Sequence, residues 1–133
     1  MTLSMKKLLV LLFSILISFN SYGEWTQISS NIKGDSYFIN LETIKKRNGY
    51  VYYWQLDDLS SPLASGKVFS AKRKMEVNCI EEAMRTKVEH YYTGNMGKGK
   101  IYGTLDSPPT SWRYPPPSSS YFSILNYACD YLN

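Results

Sequence analysis

Short runs of alternating apolar and polar residues fill the middle of the chain, and one stretch with helical spacing closes it. YFIN (Tyr37–Asn40) and YVYYWQL (Tyr50–Leu56) combine aromatic and β-branched residues, which suit a pleated surface. Asn48-Gly49 stands just before the second run and predicts a two-residue hairpin turn. Asp57-Asp58 and Ser60-Ser61-Pro62 predict its end. In KVFSAKRKMEVNC, Phe69, Ala71, Met75, Val77 and Cys79 fall on one strand face, and Lys72, Lys74, Glu76 and Asn78 on the other. Arg73 is out of place on the apolar face, and snorkelling to an edge would resolve it.

Residues 80–93 fit two periods. Ile80, Ala83, Met84, Val88 and Tyr91 make a helical stripe. Met84, Thr86, Val88, His90 and Tyr92 alternate with Arg85, Lys87, Glu89 and Tyr91 as in a strand. The tyrosine pair and the GNMGKG turn that follows favour the strand. IYGTL (Ile101–Leu105) predicts another short strand. SPP and YPPP bracket Trp112 in a stiff extended loop, because consecutive prolines exclude helix and central strand. At the end, Ser118 to Ser120 offer an N-cap, and Phe122, Leu125, Cys129 and Leu132 share one helical face. The pattern therefore predicts an α+β fold, an antiparallel sheet with one C-terminal helix that buries its apolar face on it.

The beginning of the chain changes how the rest is read. Lys6 and Lys7 precede an apolar run from Leu8 to Phe19, and Ser21 and Gly23 are small residues where a signal peptidase would cut. Residues 1–23 are thus read as a secretory signal peptide, cleaved before Glu24, and residues 24–133 as a single domain. The apolar run is shorter than the roughly 20 residues of a membrane span. The expected location is outside the cytoplasm: periplasm, medium or outer cell surface. Without Lys6 and Lys7, the 15 basic side chains become 13 against 11 acidic ones, a formal charge of +2. That near-neutral balance gives no footprint for nucleic acid.

Export also gives the two cysteines a role. Disulfides persist outside the cytoplasm, and Cys79 and Cys129 make one pair that closes a loop of about 50 residues. Chain entropy assigns such a loop about 4 kcal/mol. Two free thiols, or metal ligands, are the competing readings. With one histidine, the spacing matches no zinc pattern. A bridge would pin the terminal helix to the sheet at Cys79.

Candidate chemistry is sparse. His90 is the only histidine, so a hydrolytic triad would have to use it. A structural or surface histidine is the simpler reading. Asp57-Asp58 and Glu81-Glu82 are adjacent pairs whose side chains diverge on a strand. GNMGKG has the glycines of a phosphate loop but lacks the GKS/T ending. No catalytic set, metal or cofactor site emerges. What remains is surface: Lys72, Lys74, Arg85, Lys87, Lys98 and Lys100 lie on or beside neighbouring strands. They form a candidate basic stripe for acidic patches on a partner protein or for anionic sugars. A solubilising face, with lysines guarding edge strands, accounts for the same residues. The 12 tyrosines supply a candidate dimer seam or recognition patch, since tyrosine is enriched at interfaces.

The order of these motifs resembles the surface-adhesin protein E family of exported bacterial proteins. The matching stretches are Trp25, YFINLETIKK, VYYWQLDD, SAKRKMEVNC ending at Cys79, YYTGNMGKGKIY, Trp112 and Cys129. The resemblance implies a sheet of about six antiparallel strands, a strand for residues 80–93, and a C-terminal helix docked through the disulfide. It implies a non-enzymatic binding protein, adhesion to host extracellular-matrix glycoproteins and an ability to form homodimers. The alternative function is a soluble periplasmic protein that holds haem or another small hydrophobic ligand between helix and sheet.

Overall fold

The computed structural model describes residues 23–105 and 110–133. The expected signal peptide, up to Tyr22, and Asp106 to Pro109, which include the SPP of the loop, lie outside the described residues. Six strands follow one another in chain order: β1 (Thr26–Ser30), β2 (Ser36–Arg47), β3 (Tyr50–Leu63), β4 (Val68–Asn78), β5 (Ala83–Tyr92) and β6 (Ile101–Leu105). Each pairs antiparallel with the next, so the sheet is a simple meander. Helix α1 (Ser120–Tyr131) comes last. Asn48 and Gly49 both have positive φ, 52° and 83°. That is the twist-matched hairpin turn the sequence predicts, and it pairs Arg47 with Tyr50.

Two expectations about the strands need correction. First, β3 does not stop at Asp57-Asp58. It runs to Leu63, with its register interrupted between Asp58 and Leu63. Pro62 lies inside that interruption, where its missing N–H breaks no regular ladder. Second, residues 83–92 form a strand, as the resemblance implies, but with a bulge. Lys74 pairs with Val88 and Met75 with Thr86, so Lys87 is the extra residue. An extra residue moves everything beyond it to the opposite face. Met84 and Thr86 therefore face one side while Val88, His90 and Tyr92 face the other, where simple alternation put them together.

The sheet has a covered and an open face. On the covered face, Ile39, Ile44, Val51, Tyr53, Met75, Val77 and Met84 pack against Ile124, Leu125 and Ala128 of α1. Full burial of each large side chain is worth about 1.5–3 kcal/mol. The helix face is centred on Tyr121, Ile124, Leu125 and Ala128. Phe122 is at its margin, and Leu132 is exposed beyond the last turn. Besides this packing, a cap, a hydrogen bond and the disulfide fix the helix. Ser119 caps it, its hydroxyl oxygen accepting from the Phe122 N–H at 3.2 Å. Ser120 donates its hydroxyl to the Ser30 carbonyl of β1 at 3.0 Å. Cys79 and Cys129 form the disulfide, with Cα atoms 5.9 Å apart.

Arg73 does not snorkel. It stays on the covered face, within an ion-paired cluster. Its guanidinium binds Asp57 through Nη1 and Glu89 through Nε at 3.1 Å. Tyr121 of α1 donates its hydroxyl to Asp57 at 2.7 Å and accepts from Arg73 at 2.9 Å. Gln55 completes the shell of Asp57. Burial pushes the Asp57 carboxyl up, against the opposing pull of Arg73, Gln55 and Tyr121. Burial pulls Arg73 down, but Asp57, Tyr121 and Glu89 outweigh it and hold the guanidinium charged. Burial and the Asp57 charge raise Tyr121. Among the described residues, no buried side-chain nitrogen or oxygen lacks a hydrogen-bond partner.

Candidate binding surface

Cross-strand partners share a face, so the register fixes what the open side presents. Its backbone is the even-numbered set of β3: Tyr50, Tyr52, Trp54 and Leu56. Opposite them stand Arg47 and Lys45 of β2, and Glu76, Lys74 and Lys72 of β4. Beyond these lie Arg85, Lys87 and His90 of β5. A small apolar cluster of Trp25, Phe38 and Leu56, with Trp54 and Met96 packed against it, supports this side. Among the described residues α1 leaves it open, since the apolar partners of that helix lie on the other face.

Aromatic rings hold many of the cations in place. The Lys72 ammonium is 5.7 Å from the Trp25 ring centre and 5.1 Å from that of Tyr92. Arg47 and Lys87 sit 5.9 and 5.7 Å from the Tyr52 ring. Arg85 lies 4.3 Å from the ring of Trp112, which the proline-rich loop returns to this side. Such contacts contribute about 0.5–1 kcal/mol each at exposed sites and restrict long side chains. Glu76 is the buried counter-ion. It pairs with Arg85 at 2.5 Å and Lys87 at 3.6 Å, and accepts the Tyr52 hydroxyl at 2.5 Å. Burial alone would raise its carboxyl. Hydrogen bonds from Tyr52 and Arg85 and the two cationic charges outweigh burial and hold it below the usual range. The Glu76 hydrogen bond and burial in turn raise Tyr52.

Of the six basic residues singled out in the sequence, Lys72, Lys74, Arg85 and Lys87 fall together on this face. Lys98 and Lys100 lie apart, exposed on the turn between β5 and β6. That turn is stitched to the sheet. Asp58 accepts from the Met96 N–H at 2.7 Å, and Ser70 accepts from the Gly97 N–H at 2.8 Å. The Met96 and Gly97 amides are therefore not open to a phosphate. Gly97 has φ of 69°, and a Cβ there would meet the Lys72 Cε at 2.5 Å, so the glycine makes room for that lysine. Lys45, Arg47 and Trp112 were missed as site residues. The Asn48-Gly49 hairpin carried the signal for the first two, because it places Arg47 opposite Tyr50 and Lys45 opposite Tyr52. The contact of Trp112 with Arg85 has no local signal.

His90 stacks on Trp54 at 5.9 Å between ring centres and shares a 3.1 Å hydrogen bond with Thr104. Its partners are thus an indole and a hydroxyl, with no carboxylate to orient it. Both cysteines are in the disulfide, so no free thiol exists among the described residues. Among the same residues there is no cluster of His, Cys, Asp and Glu that could hold a metal ion. Nor is any helix long and apolar enough to cross a membrane.

A groove of about 890 Å³ opens on the covered side, between the first turn of α1 and the proline-rich loop. Tyr37, Met84, Tyr114, Pro115 and Tyr121 line it, with Arg113 as its cation.

Solved structures of Haemophilus influenzae protein E share the architecture. One crystal form aligns over 86% of this chain and 94% of that one, with a TM-score of 0.62 at 14% identity. Another aligns over 84% and 87%, with a TM-score of 0.59 at 13% identity. The protein from a non-typeable strain gives 0.56 at 14% identity, over 84% and 80%. No curated protein sequence matches the chain. The family model for surface-adhesin protein E matches residues 25–130, nearly the whole described chain, and the protein belongs to that family.

Proposed function

We propose that this protein is an exported, non-enzymatic binding protein that attaches to host extracellular-matrix glycoproteins through the open face of its sheet. The observation that carries this reading is the concentration of Lys45, Arg47, Lys72, Lys74, Arg85 and Lys87 on one uncovered face. The chain from Glu24 onward has a formal charge of only +2, so the face is far more basic than the whole. A patch of one sign steers oppositely charged partners and raises their association rate. Family membership supports adhesion and export, and the partners of His90 give no support to hydrolysis. The test is binding of the oxidised protein to coats of host matrix glycoproteins, against a disulfide-bonded control protein of similar charge. Binding above the control supports the reading, and equal binding removes it.

The groove beside α1 favours a second reading, a periplasmic protein that carries a small hydrophobic ligand. Its volume suits a small molecule, and Ile32, Tyr37, Met84, Tyr114, Pro115 and Tyr121 give it apolar walls among several serines. Native mass spectrometry of protein purified from its own cells would show the bound ligand. An empty spectrum would leave the open face as the working site. Fractionation of cells into periplasm, outer membrane and medium adds a separate test: protein confined to the periplasm would end the adhesin reading.

A further inference from the structure

We infer that the open face is a track for an extended sulfated polysaccharide, so that the sulfated sugar chains of the matrix are what it recognises. This inference rests on the matrix-binding reading and narrows it to one chemical class.

Two hollows of about 280 Å³ each lie side by side on this face. The first is lined by Lys45, Arg47, Tyr52, Lys74 and Lys87, together with Glu42. The second is lined by Trp25, Lys72 and His90, together with Glu24. Both include Thr43 and Trp54, so they join into one trough across β2, β3, β4 and β5. Strand spacing of about 4.8 Å makes that crossing roughly 14 Å, several sugar rings long. Each hollow is smaller than the usual pocket for a compact small molecule, and the pair suits a thin chain laid across both.

The cations along it are ready for anions. Among the described residues, Lys45, Arg47, Lys72 and Lys74 have no ion-pair partner. An incoming sulfate would displace no internal salt bridge there. Lys72 and Arg47 are already restrained over aromatic rings, which lowers the entropy lost on binding.

The rings also discriminate between polyanions. Single-stranded nucleic acid needs free aromatic faces on which bases stack. Here Tyr52 is occupied by Arg47 and Lys87, Trp112 by Arg85, and Trp54 by His90. A polyanion without π-faces loses nothing by that. Lysine is depleted from protein interfaces, which need desolvated apolar anchors. The cations of the trough are mostly lysines: Lys45, Lys72, Lys74 and Lys87, with Arg47. Sulfate, a hard anion that needs charge and hydrogen-bond donors, is the better match.

The test uses the oxidised mature protein on immobilised heparin as the sulfated probe. Binding should occur and should weaken steeply as salt rises. The triple variant Lys45→Gln/Arg47→Gln/Lys74→Gln removes exposed or half-exposed cations without ion pairs. Losing the Arg47–Tyr52 contact should lower its unfolding midpoint by only a few degrees, and it should bind at least tenfold more weakly. The turn variant Lys98→Gln/Lys100→Gln should lose less than twofold. Equal losses in both variants would mean diffuse charge attraction and would overturn the inference. For the unmodified protein, heparin should compete at least tenfold better than chemically desulfated heparin, single-stranded DNA or polyglutamate. Any of the three competing equally well would also overturn it. Matrix coats stripped enzymatically of sulfated chains separate the two levels. Undiminished binding to stripped coats would sink the sugar inference and leave matrix binding standing. No binding to intact coats would sink both.

Discussion

The two faces of the sheet use charge in opposite ways. On the covered face, Asp57, Arg73 and Glu89 are matched to one another and to Tyr121, and the cluster helps hold α1. On the open face, Glu76 answers Arg85 and Lys87, but four further cations have no such partner among the described residues. Charge shut away from water must be balanced, or the fold fails. Excess charge at a surface is affordable for the fold and is available for a partner. The comparison teaches where to cut: changes on the covered face should lower stability and spare binding, and changes on the open face should do the reverse.

The largest break is Cys129→Ser. Losing a bridge that spans 50 residues should remove about 4 kcal/mol and lower Tm by on the order of 15–25 °C. Calorimetry checks it, and an unchanged midpoint would refute the role of the bridge as a staple. Tyr121→Phe comes next. It removes the hydroxyl shared by Asp57 and Arg73, though each keeps another partner. A loss of about 1–2 kcal/mol is expected in urea unfolding, with matrix binding intact.

Acid gives a smaller, signed effect. The Glu76 carboxyl is held below its usual range in the folded protein. Its contribution is therefore present above the ordinary glutamate value and is lost as pH falls through the lower folded value. Asp57 is shifted upward and works in the opposite direction, contributing relatively more at low pH. Glu76→Gln should lower stability near neutrality and flatten the acid limb of the stability profile, as pH-dependent urea melts would show. The smallest stability effect belongs to Lys74→Gln, within about 0.5 kcal/mol, because the residue has no ion pair and lies on the surface side. Its expected signature is weaker matrix binding at an unchanged Tm.

What could be read in advance follows the range of the forces. The Asn48-Gly49 turn, the alternation of Lys72, Lys74 and Glu76, the Ser119 cap and the helical spacing of Leu125 and Cys129 are local signals, and they describe the elements that formed. The pairing of Cys79 with Cys129 was legible because only one pairing was available. Arg73 was misjudged because its partners come from β3, β5 and α1, and Tyr121 is 48 residues away. The bulge at Lys87 leaves no mark in the hydrophobic pattern, yet it decides that His90 faces Trp54. Lys98 and Lys100 looked like part of the stripe by proximity in sequence. The stitching of their turn to Asp58 and Ser70 was not visible there.

The most direct test of the central claim is an amide-resolved NMR titration of the oxidised protein with a soluble fragment of a host matrix glycoprotein. The account predicts shifts concentrated on β2 to β5 at Lys45, Arg47, Lys72, Lys74, Arg85 and Lys87, with the first turn of α1 and Arg113 to Pro116 undisturbed. Shifts confined to that helix turn and the proline-rich loop, or no shifts at all, would contradict it.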